Sequence, residues 1–104
     1  MNDADAKFYA MECERLVDDR ALRHFAVAMS TKLDKKRQEG RSGWHDPAQC
    51  TIESLRELLR SHVEKGDMVD IANFAMMIWH RERVEGRTTL NPAAAWPFPS
   101  GKKP

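Results

Sequence analysis

The sequence lacks the features that mark several common functional classes. Although 32% of its 104 residues are charged, the net charge is only +1, which favours neither a nucleic-acid-binding nor a membrane-surface protein. The longest apolar run is too short and too interrupted to span a bilayer. The acidic start, Met1 to Asp5, has no apolar segment behind it and therefore does not predict a signal peptide. We expect one small domain with no membrane partner, and nucleic acid is an unlikely ligand.

Cysteine and histidine are too sparse for a disulfide framework or a zinc site. Cys13 and Cys50 lie far apart and form no C-x-x-C motif, which is typical of reduced thiols in a cytoplasmic protein. The histidines show no zinc-ligand spacing; they are His24, His45, His62 and His80. The chain also has no repeats and no strand-like alternation of polar and apolar residues, so we expect an all-α fold.

The stretch from Gly66 to Arg83 organises the rest of the chain. On a helical wheel its apolar residues cover more than half of the circumference; they include Met68, Ile71, Ala72, Phe74, Ala75, Ile78 and Trp79. A narrow polar stripe remains, broken by Met77; it consists of Asp70, Asn73, His80 and Arg81. A helix of this kind belongs inside a bundle or an oligomer, and a buried carboxylate needs partners. The stripe is therefore either a site or the place where two chains meet, and we expect helix 67–82 to pack within a bundle or across a two-fold axis.

Two further helices are predicted before residue 40. Residues 4–17 carry a loose apolar face, and the Asp18-Asp19 pair predicts a weak break or a kink. Residues 20–39 place apolar side chains at helical spacing, and Gly40 ends that helix. The end of the second helix is basic, which indicates either a solvated helix end or a patch that faces phosphate; the cations are Lys32, Lys35, Lys36, Arg37 and Arg41.

Turn and capping signals predict where the remaining helices begin and end. Asp46, followed by Pro47 and Gln49, predicts the start of a helix that runs to about residue 65. Trp44 just before it either covers the start of this helix or stacks on a base. Gly66 ends the helix, and Asp67 caps the next one with Asp70 in its first turn. The expected architecture is a bundle of about four helices in a domain spanning residues 1–87, completed by dimerisation or a higher homo-oligomer, with an extended proline-rich tail over 88–104.

Several segments together are similar to one protein family. They are F-A-V-A-M-S-T-K-L-D-K-K-R-Q-E-G (25–40), a G-W loop (43–44), a leucine-rich acidic helix, and D-M-V-D-I-A-N-F-A-M-M-I (67–78). In this order they resemble MazG-like proteins of the all-α nucleotide pyrophosphohydrolase superfamily, especially the short forms found in bacteriophages and prophages. The resemblance covers about residues 22–82.

The resemblance implies an activity and a set of site residues. Active members hold Mg²⁺ with an E-x-x-E pair on one helix and an E-x-x-D pair on the next, and they split a nucleoside triphosphate into a monophosphate and pyrophosphate. Hard oxygen ligands suit Mg²⁺, or Mn²⁺ in its place, and the metal activates water for attack on a phosphate. The implied metal ligands are Glu53, Glu57, Asp67 and Asp70, of which Glu57 and Asp70 are the implied catalytic residues. The implied substrate-binding residues are Lys32, Lys36, Trp44 and Asn73.

The chain departs from the family pattern on the helix before Gly66. Glu53 and Glu57 are four residues apart, and Arg60 stands where the E-x-x-E pair requires its second carboxylate. Capping by Asp67 also explains the D-x-x-D sequence without any catalysis.

Two hypotheses therefore remain open. The first is a Mg²⁺-dependent nucleoside triphosphate pyrophosphohydrolase with an incomplete acidic motif. The second is a catalytically inactive phage or prophage protein that binds a host factor, with the basic helix end and the tail residues Trp96 and Phe98 as candidate contacts.

Overall fold

The computed structural model describes residues 2–86, which form three helices: α1 (Asp3–Gln38), α2 (Ile52–Lys65) and α3 (Met68–Val84). The all-α prediction is confirmed for this part of the chain, and α3 is the central element because it packs against both α1 and α2. No helix within residues 2–86 combines the length and the apolar character that crossing a membrane requires. The predicted tail over 88–104 lies outside the described residues.

One continuous helix, α1, replaces the two helices predicted before residue 40. Asn2 caps the start of this helix: its side chain accepts a hydrogen bond of 2.8 Å from the backbone N–H of Asp5. Asp19 does not cap a second helix; its carboxylate instead pairs with Arg15 at 2.9 Å, one turn earlier on the same helix. Since no proline or glycine interrupts the chain before Gly40, the two aspartates alone do not break the helix. The described part therefore has three helices rather than about four.

The end of α1 follows the sequence prediction. Gly40 has φ +87°, a left-handed conformation that glycine adopts without the steric cost of a Cβ. Its N–H donates to the Arg37 carbonyl at 2.9 Å, and the N–H of Arg41 donates to the Lys36 carbonyl at 3.0 Å. This pair of bonds is the Schellman arrangement, which satisfies the last carbonyls of a helix.

The predicted start of α2 at Asp46 is wrong, because the helix begins six residues later at Ile52. Asp46 does cap a single turn, in which its carbonyl accepts from the N–H of Cys50 and its carboxylate accepts from that of Ala48, both at 2.9 Å. The bond from Ala48 lowers the pKa of the Asp46 carboxyl. A continuing helix would send the N–H of Ser54 to the Cys50 carbonyl, but Ser54 donates to the side chain of Thr51 at 3.0 Å, so Thr51 is the cap of α2.

The turn between α2 and α3 forms as predicted. Gly66 has φ +78°, and its N–H donates to the His62 carbonyl at 3.0 Å. Asp67 follows directly, and its carboxylate accepts from the backbone N–H of Asp70 at 3.0 Å. Such a short connection makes α2 and α3 neighbours in an αα-hairpin, and it fixes the position of the first turn of α3.

The polar stripe of α3 is the face that this helix turns towards its neighbours. The four buried residues of α3 are Asp70, Asn73, Met77 and Arg81. They follow one another at intervals of three or four residues and therefore share one side of the helix. Apolar residues on the opposite side are exposed, among them Met68 and Trp79.

A small apolar core lies at the end of the bundle where α3 finishes. Ile52 and Leu55 of α2 are fully buried there with Met77. Arg81 is only 2% exposed, and its Nη1 donates to the carbonyls of Trp44 and Cys50, both at 2.7 Å. Its Nε also pairs with Glu85. One buried guanidinium thus ties the loop between α1 and α2 to α3.

Replacing Arg81 with methionine should destabilise the fold, because two buried carbonyls lose their donor while the volume of the side chain changes little. We expect the free energy of unfolding to fall by about 2–4 kcal/mol in urea denaturation followed by circular dichroism. Arg60→Met is the matched control, since Arg60 is exposed and should change stability by less than about 0.5 kcal/mol. Equal effects of the two substitutions would show that the Arg81 hydrogen bonds do not stabilise the loop.

Candidate functional site

A cluster of polar side chains forms where all three helices meet, at the first two turns of α3. We call it the polar cluster; its members are Lys32 of α1, His62 of α2, Asp67 at the cap of α3, and Asp70 and Asn73 of α3. The Gly66 turn brings the end of α2 beside the start of α3, and α1 packs on α3. The cluster therefore assembles residues that lie more than forty positions apart in the sequence.

Lys32 joins the two aspartates of the cluster. Its Nζ lies 3.1 Å from a carboxylate oxygen of Asp67 and 3.3 Å from one of Asp70. The hydrogen bonds to Asp67 and then to Asp70 raise the pKa of Lys32. The backbone N–H of Asp70, and then the Lys32 ammonium, lower the pKa of Asp67 to about 2. One ammonium thus serves two ionised carboxylates that would otherwise repel each other.

Asp70 is the most enclosed carboxylate of the cluster, with a side chain only 12% exposed. The Nε2 atom of His62 lies 3.7 Å from its second oxygen. The other ring nitrogen, Nδ1, lies 2.8 Å from the Leu58 carbonyl, which can only accept, so Nδ1 carries a hydrogen and Nε2 faces the carboxylate. The imidazole also packs against Phe74, with the ring centroids 4.8 Å apart. Asp70 therefore contacts an ammonium on one side and an imidazole on the other.

Asn73 contributes an unsatisfied acceptor to the cluster. The residue is 4% exposed, and its Nδ2 donates to the Met29 carbonyl of α1 at 3.2 Å. Its Oδ1 is buried without a hydrogen-bond partner in the part of the chain that the structure describes. Because a buried acceptor without a donor costs about 1–3 kcal/mol, this oxygen is a candidate to accept a hydrogen bond from a water or a ligand.

The two glutamates that the resemblance adds to the site lie elsewhere. The side of α2 that faces α3 carries Ile52, Leu55 and His62, whereas Glu53 and Glu57 lie on exposed positions of the helix. Glu57 pairs with Arg60 in solvent. Within residues 2–86 no three His, Cys, Asp or Glu side chains lie close enough together to hold a metal ion. The structure thus brings Asp67 and Asp70 together but does not bring Glu53 and Glu57 to them.

Of the remaining predicted binding residues, Lys36 lies near the cluster and Trp44 lies far from it. Lys36 is half-buried and follows Lys32 by one turn of α1, which is a rise of about 6 Å. Trp44 packs edge-on against His80 and His45, with ring centroids 5.6 and 5.9 Å apart. Since His80 follows Asp70 by ten residues, Trp44 lies about 15 Å away along α3. Lys36 is therefore placed beside the cluster, and Trp44 packs on the opposite end of α3.

His62 is the member of the cluster that the sequence did not identify as a site residue. Its position among the apolar residues of α2 indicated a structural imidazole. Only one feature of the sequence could have indicated a role in the site. His62 lies in the last turn of α2 before Gly66, and the next helix starts directly after that sharp turn and therefore lies beside it. The contact with Asp70 depends on how α2 packs on α3, which no local pattern reports.

The oxygen atoms of the cluster suit a hard divalent cation that shares its coordination with a phosphate. Asp67 and Asp70 offer carboxylates, and Asn73 offers the unpaired amide oxygen. Mg²⁺ is usually held by one or two carboxylates together with substrate phosphates and water, rather than by a complete cage of protein ligands. The donor set fits that arrangement, provided that the Lys32 ammonium moves away from the carboxylates.

Comparisons with protein-family models, with curated proteins and with solved structures found no match to this chain. The MazG-like resemblance therefore stays a prediction from the sequence, and the polar cluster is the structural feature that bears on function.

Coupling between Lys32 and Asp70 can be measured by a double-mutant cycle. We expect Lys32→Gln to lower the urea midpoint, because Asp67 and Asp70 lose the cation between them. Asp70→Asn should remove part of that repulsion, so the double variant should be more stable than the sum of the single effects predicts. Lys35→Gln on the exposed side of α1 is the control. Strictly additive effects would contradict the ion pair.

Proposed function

We propose that the chain is a MazG-like nucleoside triphosphate pyrophosphohydrolase whose polar cluster binds the substrate phosphates together with Mg²⁺, or Mn²⁺ in its place, in the cytoplasm. One observation carries the proposal: Asp67 and Asp70 converge on Lys32 next to the buried, unpaired oxygen of Asn73. This arrangement offers oxygen ligands for a cation, an ammonium for a phosphate and an acceptor that needs a donor, all at the start of α3.

Each residue of the cluster has a definite part in this proposal. Asp67 and Asp70 would hold the cation, which when bound neutralises phosphate charge and makes water more acidic. Lys32 would leave the two carboxylates and meet the phosphates with Lys36, because a cation replaces its charge between the aspartates. Asn73 would accept a hydrogen bond from a bound water or a substrate hydroxyl.

The proton of the attacking water requires an acceptor in the cluster. Water attacks a phosphorus atom, the bond between the α- and β-phosphates breaks, and the monophosphate and pyrophosphate separate. Asp70 is the best-placed acceptor because it is the most enclosed carboxylate of the cluster, and His62 Nε2 lies 3.7 Å from its second oxygen. Glu57, the other predicted catalytic residue, is exposed and paired with Arg60, so the geometry supports Asp70 more strongly.

Hydrolysis can be tested by measuring pyrophosphate release from the common ribo- and deoxyribonucleoside triphosphates in the presence of Mg²⁺ or Mn²⁺. We expect turnover by the full chain and a loss of at least about 100-fold in Asp70→Asn, because an ionised ligand becomes a neutral amide. Glu57→Gln and Glu53→Gln decide whether the acids of α2 take part. Glu64→Gln, an exposed change on the same helix, is the matched control.

The controls separate a lost site from a lost fold. Circular dichroism of Asp70→Asn should show an unchanged helical signal, since Asp67 rather than Asp70 caps α3. If no nucleotide yields pyrophosphate, or if Asp70→Asn keeps full turnover, the hydrolase proposal is wrong.

A second function, that of a catalytically inactive protein that binds a host factor, is favoured by the placement of the acids. Lys32 already pairs with both Asp67 and Asp70, and Glu53 and Glu57 lie on exposed positions of α2. Calorimetric titration with Mg²⁺ or Mn²⁺, with and without a non-hydrolysable nucleoside triphosphate, distinguishes the two. Heat of binding that Asp70→Asn removes supports the hydrolase, whereas flat titrations support the interaction protein. Deletion of residues 88–104 then tests whether the tail, which lies outside the described residues, makes the contact.

A further inference from the structure

Residues 8–27 of α1 form an apolar surface that nothing in residues 2–86 covers. The helix is about 54 Å long, and its contacts with α3 lie in its second half, at Met29 and Lys32. Before that point its large apolar side chains are between 39% and 67% exposed; they are Phe8, Tyr9, Met11, Leu16, Val17, Leu22, Phe25 and Val27. Scattered exposed apolar residues are ordinary, but a run of this length on one helix is typical of an interaction surface.

Part of this surface has the spacing of a coiled coil. Six residues follow one another at alternating intervals of three and four, which places them in one line along the helix; they are Phe8, Met11, Arg15, Asp18, Leu22 and Phe25. We call this line the α1 stripe. At the same intervals it continues into Met29 and Lys32, which contact α3. The stripe is therefore the uncovered part of a face whose other part is already an interface.

The stripe is palindromic in its chemistry. From either end, the order is two apolar residues, then two residues of opposite charge, then two apolar residues. An antiparallel copy with its two-fold axis between Leu16 and Val17 would place Phe8 opposite Phe25 and Met11 opposite Leu22. The same register places Arg15 opposite Asp18 on both sides of the axis. A surface that complements itself in this way matches the requirement for an isologous dimer contact.

We propose that the α1 stripe pairs with the α1 stripe of a second copy of this chain as an antiparallel two-helix coiled coil. The proposal concerns a surface separate from the polar cluster and does not depend on the hydrolase activity. The apolar pairs would lie at the two ends of the paired region, and two Arg15–Asp18 pairs would lie at its centre. The pairing stops before Met29, where α3 covers the same face.

The charge distribution along α1 selects the antiparallel orientation. Acids dominate up to residue 19, where Asp3, Asp5, Glu12, Glu14, Asp18 and Asp19 are accompanied only by Lys7 and Arg15. Cations dominate from residue 20 to 38, where Arg20, Arg23, Lys32, Lys35, Lys36 and Arg37 are accompanied only by Asp34. In the proposed register Arg20 and Arg23 lie opposite positions 13 and 10 of the acidic half, the cations from Lys32 onward lie beyond the paired region, and the helix dipoles oppose each other. A parallel pair would place like charges together along the whole length.

Arg15, at the centre of the proposed contact, already forms ion pairs within its own helix. Its guanidinium pairs with Glu12 and with Asp19 of its own helix, both at 2.9 Å. Asp18 has an exposed side chain. Arg15 carries enough donors to keep one of these partners and meet Asp18 of the second copy. Charged pairs at core positions of a coiled coil fix register at some cost in stability, and that is the role we assign to them.

The register can be tested by disulfide cross-linking of the full chain with Cys13 and Cys50 changed to serine. In the proposed register the double variant Met11→Cys with Leu22→Cys should form an intermolecular disulfide on mild oxidation, seen as a dimer on a non-reducing gel. The two positions lie about 16 Å apart on one helix and cannot bond within a chain. Met11→Cys alone and Leu22→Cys alone should stay monomeric on the same gel. Cross-linking of either single variant would indicate parallel pairing and overturn the proposal.

The surface can be tested by the mass of the chain in solution. Light scattering during gel filtration should give twice the chain mass of 12.0 kDa for the full chain at micromolar concentration. Leu22→Glu should shift it to the single mass with an unchanged helical signal, whereas Val27→Glu, an equally exposed change outside the stripe, should leave the dimer intact. Asp18→Arg should raise the dissociation constant at least tenfold, and adding Arg15→Asp should restore it. A monomeric full chain, or a dimer that Leu22→Glu leaves intact, would overturn the proposal.

Discussion

The fold depends on the fact that α3 turns its polar side inward. Asp70 and Asn73 find their partners on α1, in Lys32 and the Met29 carbonyl, and Arg81 finds its partners in the carbonyls of the loop between α1 and α2. Apolar contacts tolerate small rotations of a helix, whereas hydrogen bonds and ion pairs do not, because a buried polar group without its partner is costly. The rotation of α3 about its axis is therefore set by polar geometry. Only Ile52, Leu55 and Met77 are buried apolar side chains in the part of the chain that the structure describes, so this geometry specifies the packing more than it stabilises it.

The same inward side of α3 divides the molecule into two regions with different roles. At its end, Arg81 donates to two carbonyls and pairs with Glu85, so this buried guanidinium holds the loop and the end of α3 together. At its beginning, the Asn73 oxygen is unsatisfied and the Lys32 ammonium occupies the space between two carboxylates. An ammonium is a suitable counter-ion for two carboxylates, and it is also a group that a phosphate attracts. Binding of a cation and of a phosphate would then assist each other, since the first releases Lys32 and the second receives it.

Local rules predicted the features that local chemistry decides. Gly40 and Gly66 end their helices, and Asp67 caps α3, because each needs only the residues within one turn. The prediction of a break at Asp18-Asp19 was wrong since aspartate only weakly disfavours a helix and Arg15 offers it a partner within the helix. The start of α2 was misplaced because the Cys50 carbonyl is bound by Arg81, which is distant in the sequence. For the same reason His62 was not identified as a neighbour of Asp70: the sequence contains both residues, but only the packing of α2 on α3 brings them together.

The charged residues within the α1 stripe explain why a self-contact there would have a single register. Two heptad stripes can slide past each other by seven residues and still place a stripe residue opposite a stripe residue. Sliding in one direction would place Phe8 opposite Asp18, and sliding in the other would place Phe25 opposite Arg15, so each alternative separates Arg15 from Asp18 of the second copy. Among these three alignments, only the register centred between Leu16 and Val17 pairs Arg15 of one copy with Asp18 of the other. A stripe made entirely of apolar residues would bind more tightly, but it would accept all three alignments.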